Sequence, residues 1–443
     1  MTTYFARHAL LPAGPARDVT FAVAGGRFVA VTAGSRPGPG ASVLPGVVLP
    51  GLANCHSHAF HRALRGRTHA GGGTFWTWRE GMYRVAGALD PDSYLALARA
   101  TYAEMALAGI TAVGEFHYLH HAPGGGAYGD PNAMGAALIQ AARDAGIRLT
   151  LLDTCYLAGG LGPDGHAALS REQLRFTDGS AQRWAERVEL LAGSGIDADT
   201  VRIGAAVHSV RAVPRAELPV VAAAAAGRPL HVHLSEQPAE NAAALAFYGR
   251  TPTDLLDEAG VLGPATTAVH ATHLTRSDIA TLGRTGTSSC FCPTTERDLA
   301  DGIGPARALH DAGSGLSLGS DQHAVIDLIE EARALEMHER LATRQRGRFT
   351  PAQLLTAATR HETLGWADAG ALAAGQRADL IAVRLDGPRT AGVDPAQVLL
   401  AATAADVDTV VVDGRPVVTG GRHRLGDVGA LLRTAIEPLW RTR

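Results

Sequence analysis

The sequence predicts an α/β protein: a (β/α)8 TIM-like barrel carrying a small β-sandwich domain built from both chain ends. Three observations predict it. Eight short apolar strand candidates recur through the middle of the chain, with Ala/Leu-rich helical stretches between them. Both ends instead alternate Val/Phe-rich pieces with Gly and Pro, the texture of antiparallel strands and tight turns. Histidines and carboxylates also collect at the far ends of the candidate strands, where barrels carry their chemistry.

The elements follow in order. The N-terminal segment DVTFAVAGGRFVAV and the stretch SVLPGVVLPG read as small strands, and the same pattern returns as ADLIAVRLDG (378–387) and DTVVVDGRPVVTGGR (408–422). Neither end can bury a sheet alone, so the two are expected to meet. This divides the chain into residues 1–49 and 376–443 for the β domain and 50–375 for the barrel. The barrel strands are VVLPGLANCHSH, GITAVGEF, IRLTLLDTCY, VRIGAAVHS, RPLHVHLSE, TTAVHATHL, GTSSCFCPT and GLSLGSD. Helices are predicted between them at 92–108, 132–145, 180–194, 215–226 and 251–259. A doubly wound open sheet is the rival, but no Gly-rich dinucleotide loop follows the first strand.

Composition removes several function classes. Of 443 residues, 46% are apolar, enough for a large core, and 40 basic against 43 acidic side chains leave a net charge of -3 with no basic block. No concentrated positive field for nucleic acid exists. The chain contains no lysine, so every basic residue counted is arginine. That excludes a Schiff base, a pyridoxal-phosphate anchor, a Walker A clamp and a lysine carbamate bridging two metals. The scattered Cys55, Cys155, Cys290 and Cys292 argue against a disulfide framework. The start MTTYFARHALLPAGPARDV lacks an export pattern, and no apolar run is long enough to cross a bilayer. The expectation is a soluble cytoplasmic protein with neither nucleic acid nor membrane as partner.

His56 and His58 close the first strand, and side chains two apart share a face, so both can converge on one ion. Burying two adjacent imidazoles without a ligand is costly. With His233 on the fifth strand and Asp321 after the eighth, they offer three imidazoles and one carboxylate. That set suits one divalent ion such as zinc, with a position left for water. His231 has the parity of His233 but lies one step deeper and reads as packing; His273 already enters a loop, so His270 is preferred to it. Glu236, three residues past His233, can swing over the open position as acid/base. Asp321 can take a proton from the bound water, and His270 can orient it. Arg211 lies within reach beyond the fourth strand, and Arg79 sits in a Trp/Phe-rich loop after the first strand that could cover the mouth.

GLANCHSHAFHR (51–62), HVHLSE (231–236), HATH (270–273) and LGSD (318–321), set in a barrel between β segments, resemble the metal-dependent amidohydrolase superfamily, in particular its cytosine-deaminase-like branch. FWTWREGMYR (75–84), GEFHYLHHAPGG (114–125), AVHSVRAV (206–213) and LGSDQHAVIDLIEEAR (318–333) resemble the formimidoylglutamate deiminase family of histidine degradation. The resemblance implies hydrolysis of N-formimidoyl-L-glutamate to N-formyl-L-glutamate and ammonia. It implies His56, His58, His233 and Asp321 as zinc ligands, and Glu236 and His270 as catalytic groups. His208, Arg211, Arg79 and Tyr118 would hold a small dicarboxylate substrate, for which arginine forks are suited. His61 stands where the family has glutamine, which changes a substrate-positioning donor. A homodimer with one metal per subunit is the expectation the superfamily brings. The alternative is the same chemistry on a purine, pyrimidine, triazine or guanidino compound.

Overall fold

The computed structural model describes residues 1–69 and 75–441. Eight strands from the two chain ends form one continuous sheet. Thr2–Leu11 pairs antiparallel with Gly14–Ala24, which pairs antiparallel with Arg27–Thr32. The second of these hairpins turns on Gly25 and Gly26, at φ 57° and 76°, a two-residue turn that requires left-handed backbone twice. Thr2–Leu11 also runs parallel to Ser42–Pro50, and Ser42–Pro50 pairs antiparallel with Leu380–Val383 from the other end of the chain. The sheet continues through Val407–Val412 and Arg415–Thr419, joined by Asp413-Gly414 in the same turn chemistry. It curls over on itself. A Cβ on Gly414 would lie 2.5 Å from Val23 Cγ1, although their strands are well separated in the sheet order. The inner face buries Tyr4, Phe21, Phe28, Val48 and Leu380.

The second sheet holds eight parallel strands in chain order: Leu52–Ser57, Ile110–His117, Arg148–Cys155, Val201–Val207, Leu230–Leu234, Thr266–His270, Ser288–Phe291 and Leu316–Leu318. Every residue of the second, third and fifth strands is buried, as expected for strands covered on both faces. Closure is made at one end by backbone bonds. Ser320 and Asp321 donate their amides to His56 O at 3.1 and 3.0 Å, and His58 donates to Asp321 O at 3.2 Å.

Helices Pro91–Leu107, Ala133–Ala145, Ala181–Ala192, Leu218–Ala224 and Pro252–Glu258 lie within a few residues of the predicted ones. Alanines such as Ala98, Ala103, Ala141 and Ala142 are buried where the first two of these pack together. The domains are joined beneath the barrel by Arg148 of the third strand, which is buried and paired with Asp379 and Asp413 of the chain-end sheet. No helix among the described residues is long and apolar enough to cross a membrane, and all four cysteines are buried and unpaired.

The region around Arg79 differs from the expected loop. It is a helix, Phe75–Ala88. Met82, Val85, Ala86 and, just beyond, Leu89 recur at helical spacing and are all buried. That apolar stripe decides the conformation, where the aromatic content had suggested a cover.

Candidate active site

The site lies at the C-terminal ends of the barrel strands. His56 and His58 are buried on the first strand, His233 on the fifth, and Asp321 follows the eighth. His56 Nε2 is 3.1 Å from His233 Nε2 and 3.3 Å from Asp321 Oδ1, and His58 Nε2 is 3.4 Å from the same oxygen. His58 donates Nδ1–H to Phe116 O at 2.9 Å, and His233 donates Nδ1–H to His208 O at 2.9 Å. Those bonds leave both Nε2 lone pairs aimed at the shared focus. Burial and the neighbouring histidines hold His56 and His233 well below the usual imidazole range and bring His58 down to about 3. Neutral imidazoles whose acceptor nitrogens converge beside a carboxylate oxygen suit a divalent cation, so the residues fit a metal.

Strained backbone marks the same place. Ser235, His270, Ala271, Asp321 and His323 adopt φ between 43° and 68°, the left-handed region that non-glycine residues avoid. They turn the chain sharply as it leaves strands five, six and eight, and so aim Asp321 and His270 inward. His270 Nε2 is 3.8 Å from Glu236 Oε1 and 4.0 Å from Asp321 Oδ2, and its Nδ1 is 3.7 Å from Glu296 Oε1. Burial opposes its charge, yet these carboxylates outweigh burial and lift it to about 10.

A cavity of about 530 Å³ opens above this focus, and every site residue named from the sequence except His56 lines it. His61 is hydrogen-bonded through Nε2 to the Tyr118 hydroxyl at 3.1 Å, a polar contact on the cavity wall. His208 packs its ring 4.5 Å from that of Tyr156. Arg79 lies over the Tyr83 ring at 5.6 Å. Arg211 is engaged: Nη2 donates to Glu236 Oε2 at 2.9 Å, and Nε is 3.5 Å from Glu240 Oε2.

Sequence reasoning missed Tyr156, Gln173 and Glu240. Tyr156 follows the third strand and accepts a hydrogen bond from Gln173 at 2.8 Å; its place just past an apolar strand was a usable signal. Glu240 follows Glu236 by four residues, a weaker signal. His231 and His273 stand apart from the focus, bonded to Thr363 O and Asp301 O. A second cluster, His117, His120 and Asp153, has metal-like spacing. Its carboxylate is already taken by two nitrogens of Arg187 at 2.8 Å each and by Trp184 Nε1 at 2.9 Å. A guanidinium occupies the place a cation would need, so this cluster is a structural network.

Comparison with known proteins agrees with this geometry. Residues 47–417 match the model described as "Amidohydrolase family". The chain belongs to the amidohydrolase family. Residues 1–42 of this amidohydrolase match a second model, "Formimidoylglutamate deiminase HutF, N-terminal domain". It is 38% identical over 439 residues to the formimidoylglutamate deiminase of Pseudomonas aeruginosa, covering 96% of each chain. It is 32% identical to the 8-oxoguanine deaminase of the same species, covering 87% of this chain and 85% of that one. Among solved structures, an amidohydrolase from Brucella melitensis superposes with a TM-score of 0.89 at 31% identity over the full length of both chains. The zinc complex of atrazine chlorohydrolase from Arthrobacter aurescens gives 0.86 at 25% identity, covering 99% of this amidohydrolase and 100% of that chain.

Proposed function

We propose that this amidohydrolase is a zinc-dependent formimidoylglutamate deiminase of histidine degradation, converting N-formimidoyl-L-glutamate and water to N-formyl-L-glutamate and ammonia. One observation carries the reading: a single cavity joins a histidine–carboxylate focus and a poised glutamate to two arginines, Arg79 and Arg211. The 38% identity over nearly the whole chain to a formimidoylglutamate deiminase supports it. Zinc held by His56, His58, His233 and Asp321, one ion per subunit, would supply the Lewis acidity that makes hydroxide available at neutral pH.

The chain's own groups do the rest. Asp321 accepts a proton from the attacking water, and His270 keeps the water oxygen in line. The oxygen adds to the formimidoyl carbon while Glu236 delivers a proton to the terminal nitrogen. Glu236, now ionised, takes the proton of the adduct's hydroxyl and passes it to the same nitrogen. That carbon–nitrogen bond breaks, ammonia leaves, the formyl group stays on the glutamate nitrogen, and the proton held by Asp321 returns to Glu236. Arg211, Arg79, Tyr118, His208 and His61 hold the glutamate end so that the reacting carbon sits above the focus. A cytoplasmic homodimer completes the proposal; sedimentation or size-exclusion measurement tests the dimer.

A second reading draws on Tyr118, Tyr156 and Trp78, aromatic residues on the cavity wall that could stack on a heterocycle, as in an aminohydrolase acting on a purine or pyrimidine. Ammonia release by the zinc-loaded protein from N-formimidoyl-L-glutamate, guanine and cytosine separates the two. Turnover of the first alone is expected, and none with it overturns the proposal.

A further inference from the structure

Glu240 has no role in the chemistry above, yet its environment is unusual. Its side chain is buried, it lines the cavity, and neither carboxylate oxygen completes a hydrogen bond. The amides of Ser235 and Glu236 lie close by, but burial still pushes its carboxyl up, and Arg211 is the strongest influence holding it down. A buried carboxylate is costly unless paired, so this one is kept beside its cation for a reason. Arg211 is thus one cation between two carboxylates. It bonds tightly to Glu236 and more loosely to Glu240.

The arrangement is braced. His166, on the short hairpin formed by Gly160–Gly162 and Gly165–Ala167, donates Nδ1–H to Arg211 O at 3.2 Å. Its Nε2 accepts from the Tyr248 hydroxyl at 2.9 Å. Tyr248 ends the helix Pro238–Tyr248, whose first turn carries Glu240. One imidazole therefore ties the arginine's backbone to the glutamate's helix.

We propose that Glu240 is a positioning residue that makes Arg211 a substrate-operated latch on Glu236. In the empty site Arg211 holds Glu236, the group needed for proton delivery. An arriving substrate carboxylate competes for the guanidinium edge, because its two oxygens match that fork and a neutral amidine's nitrogens do not. Arg211 turns its outer nitrogens to the substrate, stays anchored through Nε to Glu240, and releases Glu236. Binding of the correct anion thereby frees the catalytic group, and amidines without a carboxylate leave the latch shut. The inference rests on the deiminase reading and extends it from which residues bind to what binding releases.

The test uses the zinc-loaded wild-type enzyme and a Glu240→Gln variant. An N-alkylformamidine lacking both carboxylates is assayed for ammonia release with and without added glutarate. Wild type should turn it over slowly and gain about tenfold or more when glutarate fills the vacant anion position. In Glu240→Gln the gain should be lost. With the full substrate its kcat should fall about tenfold without a rise in KM, because Arg211 then relies on Glu236 alone. A merely structural role would raise KM and leave the response to glutarate intact. Absence of stimulation in wild type, alongside normal turnover of N-formimidoyl-L-glutamate, overturns the latch and leaves the deiminase reading standing. No turnover of N-formimidoyl-L-glutamate overturns both. Should Glu240→Gln fail to fold, the glutarate response of wild type decides alone.

Discussion

His233 gives its Nδ1 proton to the backbone carbonyl of His208 at 2.9 Å, so the residue just past the fourth strand decides which nitrogen of a fifth-strand histidine faces the focus. The Phe116 carbonyl does the same for His58. Main-chain groups cannot be lost by a side-chain substitution, so the ligand nitrogens are set by the barrel itself.

Chelation is therefore expected to leave a preformed but inactive site. Dialysis against a chelator should abolish ammonia release, and added zinc should restore it. His56→Ala should bind less than a full equivalent on reloading. Metal content by elemental analysis, read beside activity, checks both.

Glu236→Gln preserves shape and removes the titrating oxygen. It should keep its metal and its melting temperature yet lose about 10²–10⁴-fold in kcat. Unchanged turnover would refute the proton-transfer role.

Gly319 lies where the eighth strand meets the first. A Cβ there would stand 2.7 Å from His56 Cβ and 3.0 Å from Cys292 Sγ. Gly319→Ala should destabilise the fold by about 1–3 kcal/mol. It should also weaken metal retention, because the residue it pushes is one of the proposed ligands. Thermal melts with and without zinc separate the two effects.

Arg187 neutralises a buried pair. Burial alone would raise Asp153, but Arg187 and His120 outweigh it and bring the carboxyl from 3.8 to about 2; Asp178, also bonded to Arg187, is held low as well. A carboxyl held below its unfolded value adds stability above about pH 4, and the contribution drains away as pH falls toward 2. For Asp153 it is about 2 kcal/mol. The part of the unfolding free energy that an Arg187 substitution removes should be flat across neutral pH and shrink below pH 4. Arg187→Met, leaving both carboxylates without their guanidinium, should cost about 3–5 kcal/mol at pH 7. Denaturant titrations at several pH values measure both.

The strands and the residues that meet at the focus were legible in the sequence because their signals are local. HSH and HVH carry the period of a strand, and Glu236 sits a fixed distance beyond one of them. Helix Phe75–Ala88 was not, since the stripe of Met82, Val85 and Ala86 competes with aromatic residues that suggest a cover. Glu240 and Tyr156 escaped for a different reason. Their meaning lies in what faces them across the cavity, and no periodicity encodes a partner such as Arg211, 29 positions earlier in the chain than Glu240.

The backbone bonds between His56 and Asp321 have a further consequence, which concerns time. They join the first barrel strand to the last, so the histidine–carboxylate focus spans residues 56 to 321 of a chain made from one end to the other. A nascent polypeptide displays three imidazoles long before its carboxylate ligand emerges. Any ion held by all four can be captured only once the final barrel strand has docked, which makes its uptake a marker of correct ring closure.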